Sequence, residues 1–268
     1  MAKAKEKEVI PTLQLARDTV INFFITTGNA LFFLGDVLGH VLRGRIRWHE
    51  VLKQIYEQGV QSVVIIAMTS LASGAVLGMQ GYVMLNRFGA KEWVAQLVAL
   101  SLVRELSPVF SSFIFSGKAG ARIAAELGTM SVNDQITATR TLGVDPIEYL
   151  VVPRMVACFL VLPGLVVFSE LVGITGGYLV GVYDAGIASS TYIHQTLRSI
   201  AYVDFFSGFS KTFFFALLVS WICCYQGYNT KGGSLGVGKF TTKAVALSYM
   251  WVVISNVILT KIILTFWG

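Results

Sequence analysis

Between Glu57 and Arg87 the chain carries no Asp, Glu, Lys or Arg, a stretch longer than the roughly 20 residues that cross a bilayer as a helix. In hydrocarbon every backbone amide must be paired within its own segment, so such a run folds as a transmembrane helix. The pattern recurs. Apolar segments lie at about 155–182, 205–225 and 244–266, and a further one at 93–117 is interrupted by Arg104 and Glu105. The fold class is an all-α membrane protein, a single domain over 1–268 with transmembrane spans at 58–86, 93–117, 155–182, 205–225 and 244–266. Composition agrees: 54% of the 268 residues are hydrophobic and 13% charged, against roughly 25% charged in soluble domains.

In such a protein the net charge of +6 reports sidedness rather than nucleic-acid binding, because Lys and Arg gather on the cytoplasmic face. Residues 1–50 read as a cytoplasmic tail and a helix lying in the interface. Thr19, Asn22, Thr26, Asn29 and Asp36 form one polar stripe, with Val20, Phe24, Leu31 and Phe32 on other faces, the pattern of an interfacial helix. Basic residues flank it on both sides, Lys3 to Arg17 before and Arg43 to Lys53 after; a spanning helix would divide them between the two faces. The resulting topology leaves fifteen of the 21 Lys and Arg residues inside and four, Arg87, Lys91, Arg198 and Lys211, in or near external segments, with Arg104 and Lys261 in spans. Lys211, near the outer end of its span, is expected to snorkel. Residues 183–204 read as a non-basic external loop. The alternating Lys and Glu of the first residues do not form a signal peptide. Cys158, Cys223 and Cys224 have no metal-ligand spacing and read as small buried hydrophobes.

The stretch 104–154 joins the membrane interior to an aqueous surface. It opens with Arg104 and Glu105, which point about 100° apart on a helix and need not meet. Ionisable groups at this depth are costly and mark cavities or partners by default, the alternative being a salt bridge that serves packing alone. Further on, Ser131 reads as an N-cap with Asp134 in a shortened capping box, starting a helix near Val132. Gly143 suits the left-handed position after its end, and Asp145-Pro146 forbids continuation. Over 131–143 this makes a short capped helix with Val132 and Ile136 on one face and Asn133, Thr137 and Arg140 elsewhere.

Gly74 and Gly78, then Gly173, Gly177 and Gly181, repeat every four residues and provide smooth faces for close helix approach, within the chain or between two copies. Glu170 is a second intramembrane carboxylate, either structural or lining a path. Gly233–Lys239, GSLGVGK, matches all but the last position of a phosphate-binding P-loop. That position is Phe240 rather than the Mg²⁺-binding hydroxyl, and the loop follows a transmembrane helix instead of a strand. A glycine-rich inner turn is expected there. His40, His49 and His194 are scattered, and no catalytic constellation appears. The chain is not expected to be an enzyme, and any ATP hydrolysis belongs to another subunit.

The segments RELSPVFSSFIFSGKAGARIAAELGTM, NDQITATRTLGVDPIEYLVVPR and CYQGYNTKGGSLGVGKFTTKAV, with SGAVLGMQGY and ALSLVRELSP, resemble the signature segments of MlaE-type permeases, the membrane subunits of MCE-associated ABC phospholipid transporters. The resemblance implies a homodimer in the bacterial inner membrane with a cytoplasmic ABC ATPase that binds ATP and Mg²⁺, so that this chain carries no cofactor itself. It implies a periplasmic MCE-domain lipid-binding protein and a small ATPase-associated regulatory subunit as further partners. It makes 131–143 the coupling helix, with Glu126, Asp134, Gln135, Arg140, Asp145 and Pro146 at the ATPase contact. Leu77, Gln80, Tyr82, Arg104 and Glu105 match the surround of an outward-opening lipid cavity. There are departures: Ser107 where the family usually has Gly, Asp134 where Glu is common, Lys118 for Arg, Phe240 for Ala, and Asn256 for Asp, the last placing any charge-dependent role of the fifth span in doubt. Two other readings compete: an ATP-independent secondary transporter or scramblase using Glu105 and Glu170, and a scaffold that anchors an MCE protein. A docking helix on the inner face favours the permease, since a proton-driven carrier has no need of one.

Overall fold

The computed structural model describes residues 21, 24–44 and 46–267; the Lys- and Glu-rich opening, with Arg17, Thr19, Val20, Asn22 and Arg45, lies outside them. Every element of the described residues is helical. One compact unit ends at Ile46 and contains α1 (Phe24–Leu42). The second holds α2 (Trp48–Asn86), α3 (Lys91–Val132), α4 (Gln135–Thr141), α5 (Ile147–Tyr183), α6 (Ser189–Ser199), α7 (Tyr202–Tyr228) and α8 (Gly233–Trp267). Six of these helices, α1 among them, are long and apolar enough to cross a membrane.

Helices α2, α3 and α5 extend well past the apolar runs that mark them. Hydropathy sees only the part of a helix that lies in lipid, whereas the backbone continues as long as its amides remain paired. These long helices are not uniform. Single π turns interrupt α2 at Tyr56–Val60 and α3 at Leu102–Leu106 and Ser116–Gly120, and another opens α5 at Ile147–Val151. Two have a covalent cause nearby: Pro108 and Pro153 lack the amide that would close the α-helical bond four residues back.

Association of helices in lipid gains little from the hydrophobic effect and depends on close packing. The glycine repeats supply it within the chain. A Cβ placed on Gly74 would lie 1.8 Å from the Gly173 carbonyl oxygen, and one on Gly176 2.2 Å from that of Leu71. The paired stripes are therefore the seam between α2 and α5, not a free face.

At one end of the bundle Val94, Val98 and Leu102 of α3 pack with Ala185, Ile187 and Tyr192, joined by Leu77 and Tyr82 of α2. The segment expected as an external loop thus contains α6, whose Tyr192 and Thr196, one turn apart, face inward; too polar to register as a span, it is held as a short amphipathic helix. Burial pushes the Tyr192 phenol up to about 12. At the other end gather Glu57, Arg122, Glu126, Arg154, Ser131 and the α7 terminus at Tyr228.

Candidate functional site

The first candidate lies in mid-helix. Pro108 has no N–H, so the Arg104 carbonyl loses its usual donor, and the Lys211 ammonium donates to it at 3.1 Å. The same ammonium donates to Glu105 Oε1 at 2.7 Å and to Thr260 Oγ1 at 2.8 Å. Glu105 also accepts from Thr260 Oγ1 and from Asn256 Nδ2, both at 2.9 Å. Arg104 turns elsewhere: its Nε donates to Asp204 Oδ1 at 2.7 Å, while Asp204 Oδ2 accepts from the Ala201 amide and closes the start of α7.

Arg104 and Glu105 therefore do not pair with each other; adjacent residues on a helix face different neighbours. Lys211 does not snorkel. It is 2% exposed, because a carboxylate, an orphaned carbonyl and a hydroxyl satisfy its three protons where it stands. Asn256 supplies an uncharged donor to Glu105. Asp204 and Lys211 were not among the candidate residues, although their spacing of two helical turns puts both on the face that meets adjacent Arg104 and Glu105.

Leu77 and Tyr82 pack against the outer cluster, and Gln80 is exposed. Among the described residues no hydrogen bond or ion pair joins Gln80 or Tyr82 to Arg104 or Glu105, while Leu77 and Tyr82 pack on the same cluster as Leu102 and Leu106, which flank that pair. Glu170 is buried at 5% exposure, beside Ser169, whose hydroxyl meets that of Ser70 at 2.7 Å; among the described residues it forms no ion pair.

The second candidate is the turn at the opposite end. α3 runs on through Val132, so Ser131 has helical backbone and is not an N-cap. Its hydroxyl instead donates to the carbonyls of Tyr228 and Thr230, at 3.2 and 3.1 Å. The chain reverses at Asn133 and Asp134, the latter with φ 55°, and the next helix begins at Gln135 rather than near Val132 and lasts 7 residues instead of eleven. Asp134 makes no side-chain cap; the left-handed backbone, which Asp tolerates better than most residues, makes the turn instead. Ile136 is buried while Asp134, Gln135 and Arg140 are exposed, and Arg140 Nη2 donates to the Tyr228 hydroxyl at 3.2 Å. Gly143 takes φ 77°, as its place after the helix end requires. Asp145 Oδ1 accepts from the Ile147 amide at 2.9 Å, opening α5, and Pro146 is buried behind it.

Glu126 occupies a different setting from the rest of this group. It receives Arg122 Nε at 2.7 Å and Arg154 Nη2 at 3.2 Å, and Arg122 also reaches Glu57. These four side chains tie α2, α3 and α5 together just below the turn. Lys118 adds a bond from its ammonium to the Gln61 carbonyl.

The P-loop-like segment is not a loop. The chain turns at Gly232, φ 93°, and Gly233, φ 68°, and residues from Gly233 onward form α8. The segment thus has neither the preceding strand nor the loop that a P-loop requires. Among the described residues no group of His, Cys, Asp and Glu is arranged to hold a metal ion.

Comparison with known proteins decides what kind of membrane protein this is. The family model described as Permease MlaE matches residues 51–262. The chain belongs to the MlaE permease family. A probable ABC transporter permease protein of Rickettsia typhi is 38% identical over 243 residues, 91% of this chain and 94% of that one. The intermembrane phospholipid transport system permease protein MlaE of Haemophilus influenzae is 39% identical over 247 residues, again 91% and 94% of the two chains. A chloroplast protein of Arabidopsis thaliana, TRIGALACTOSYLDIACYLGLYCEROL 1, is 34% identical and is matched over 65% of its length. This MlaE-family chain is thus the non-catalytic, multi-pass membrane subunit of an ABC transporter, and ATP is bound by a separate ATPase subunit.

Proposed function

We propose that this permease moves phospholipids between the bacterial inner membrane and a periplasmic MCE-domain protein, as a homodimer driven by a cytoplasmic ABC ATPase, with a small ATPase-associated protein regulating it. The observation that carries the reading is the turn at 133–146: a short helix anchored by buried Ile136, presenting Asp134, Gln135 and Arg140 outward. An anchored knob of this kind transmits motion from a partner that docks on it. Glu126 contributes indirectly, by tying the helices that carry the knob.

The likeness to a permease named for phospholipid transport supports the substrate class. Leu77 and Tyr82 supply apolar wall, Gln80 a polar rim, and Arg104 and Glu105 a charged level within it; a second copy facing the first closes these groups into one cleft. The scramblase alternative finds less support, since a proton-driven carrier has no need of an exposed docking helix such as Gln135–Thr141. The test is lipid co-purified with the whole complex: Glu105→Ala is expected to reduce phospholipid load and ATP-driven lipid movement several-fold. Unchanged load and movement would leave Glu105 a packing role only.

A further inference from the structure

Beside the Glu105 cluster, on another face of α3, lies a small recess lined by Thr69, Ser70 and Ser73 of α2, Ser107 and Phe110 of α3, and Ser169 of α5. Its floor has room for one water-sized group. Most of its hydroxyls are already committed. Ser70 and Ser169 bond each other, Thr69 donates to the Ile65 carbonyl, and Ser73 donates to that of Thr69. Ser107 is the exception: it is 2% exposed and its hydroxyl has no hydrogen-bond partner.

A serine within a helix ordinarily satisfies itself on the carbonyl four residues back. Here the π turn shifts the register, the Ser107 amide reaching Leu102 instead. The Val103 carbonyl meanwhile faces Gly208, where a Cβ would lie 2.0 Å away. Ser111 and Ser116 also lack partners, but neither lines the recess. Ser107, its donor unmet, thus borders a small space lined also by Leu102, Leu106 and Phe110, the last 42% exposed. No charged side chain lines it.

We propose that Ser107 donates to the ester carbonyl of a bound glycerophospholipid, making the recess a subsite that reads the linkage between glycerol and acyl chain. The chemistry calls for an uncharged acceptor with apolar substance on either side, which an acyl ester offers. A water molecule is an acceptor too, and the test separates the two. The proposal rests on the phospholipid reading given above.

The full permease, purified with its ATPase, is offered an equimolar mixture of a diacyl phosphatidylethanolamine and its dialkyl ether analogue, which lacks both carbonyls, and the retained lipids are quantified by mass spectrometry. The wild-type protein is expected to retain the ester lipid about 2- to 12-fold over the ether, the range one neutral hydrogen bond gives. Ser107→Ala and Ser107→Gly bring the ratio to about one, and Ser107→Thr, which keeps the hydroxyl, preserves the preference. Equal retention by the wild type, as a resident water would give, overturns the subsite while leaving the permease reading intact; so does a preference that survives Ser107→Ala. Retention of neither lipid overturns the phospholipid reading as well.

Discussion

Lys211 shows how one polar side chain is accommodated among helices. Three acceptors converge on it, and one exists only because Pro108 leaves the Arg104 carbonyl without its donor. Removing Lys211 leaves the part-exposed Glu105 carboxylate without its cation and the Arg104 carbonyl without a donor. Lys211→Met is therefore expected to lower the thermal midpoint of the detergent-solubilised protein markedly, and the double variant with Glu105→Gln to recover much of the loss; a double variant as unstable as Lys211→Met alone would show the two are not coupled. Asn256 donates to the Glu105 carboxylate, and a bond to a charged group contributes about 1.5–3 kcal/mol. Asn256→Ala should accordingly destabilise less than Lys211→Met in the same unfolding measurement. Sequence alone marked Arg104 and Glu105 by their depth in an apolar run. Their partners were not legible, because Asp204 and Lys211 sit near the end of their run, where hydropathy assigns charges to the surface.

At the scale of elements, apolar runs and glycine spacing were legible because lipid burial and close packing each impose a local pattern. Each expected span falls within a single long helix, and the α2–α5 seam follows the repeats. Helix ends were less legible. Ser131 has the chemistry of an N-cap, yet the preceding helix absorbs it and two carbonyls of the neighbouring chain reversal engage its hydroxyl. The α6 helix escaped because its inward face is a Tyr and a Thr rather than aliphatic residues. The seam yields a sharp contrast. Gly74→Ala places a methyl 1.8 Å from a carbonyl oxygen and is expected to prevent recovery of folded protein. Gly164→Ala, with nothing within 4 Å of the new methyl, is expected to be neutral or to stabilise by up to about 1 kcal/mol. Comparable yields and melting behaviour for the two variants would contradict this packing. At Gly143, φ 77°, alanine should cost about 1–2 kcal/mol, seen as weaker ATPase retention with the bundle's own melting little changed.

Within the unit from Arg47 onward, the four-residue ion cluster and the α4 turn share one end, and the α6 cover occupies the other. The charged level of Arg104 and Glu105 lies between them on α3, the helix that ends in the turn. Displacement of α4 would therefore act on α3 directly and, through Arg122, Glu126 and Arg154, on α2 and α5. The central claim is that force enters at α4. Its most direct test is the amount of ATPase that co-purifies with a permease carrying Asp134→Asn, which keeps the left-handed turn while removing the charge, together with Arg140→Glu. The account predicts at least about a tenfold loss of bound ATPase, an interface change of roughly 1.4 kcal/mol or more, from a permease whose own melting is unaltered. ATPase bound at the wild-type level would contradict it.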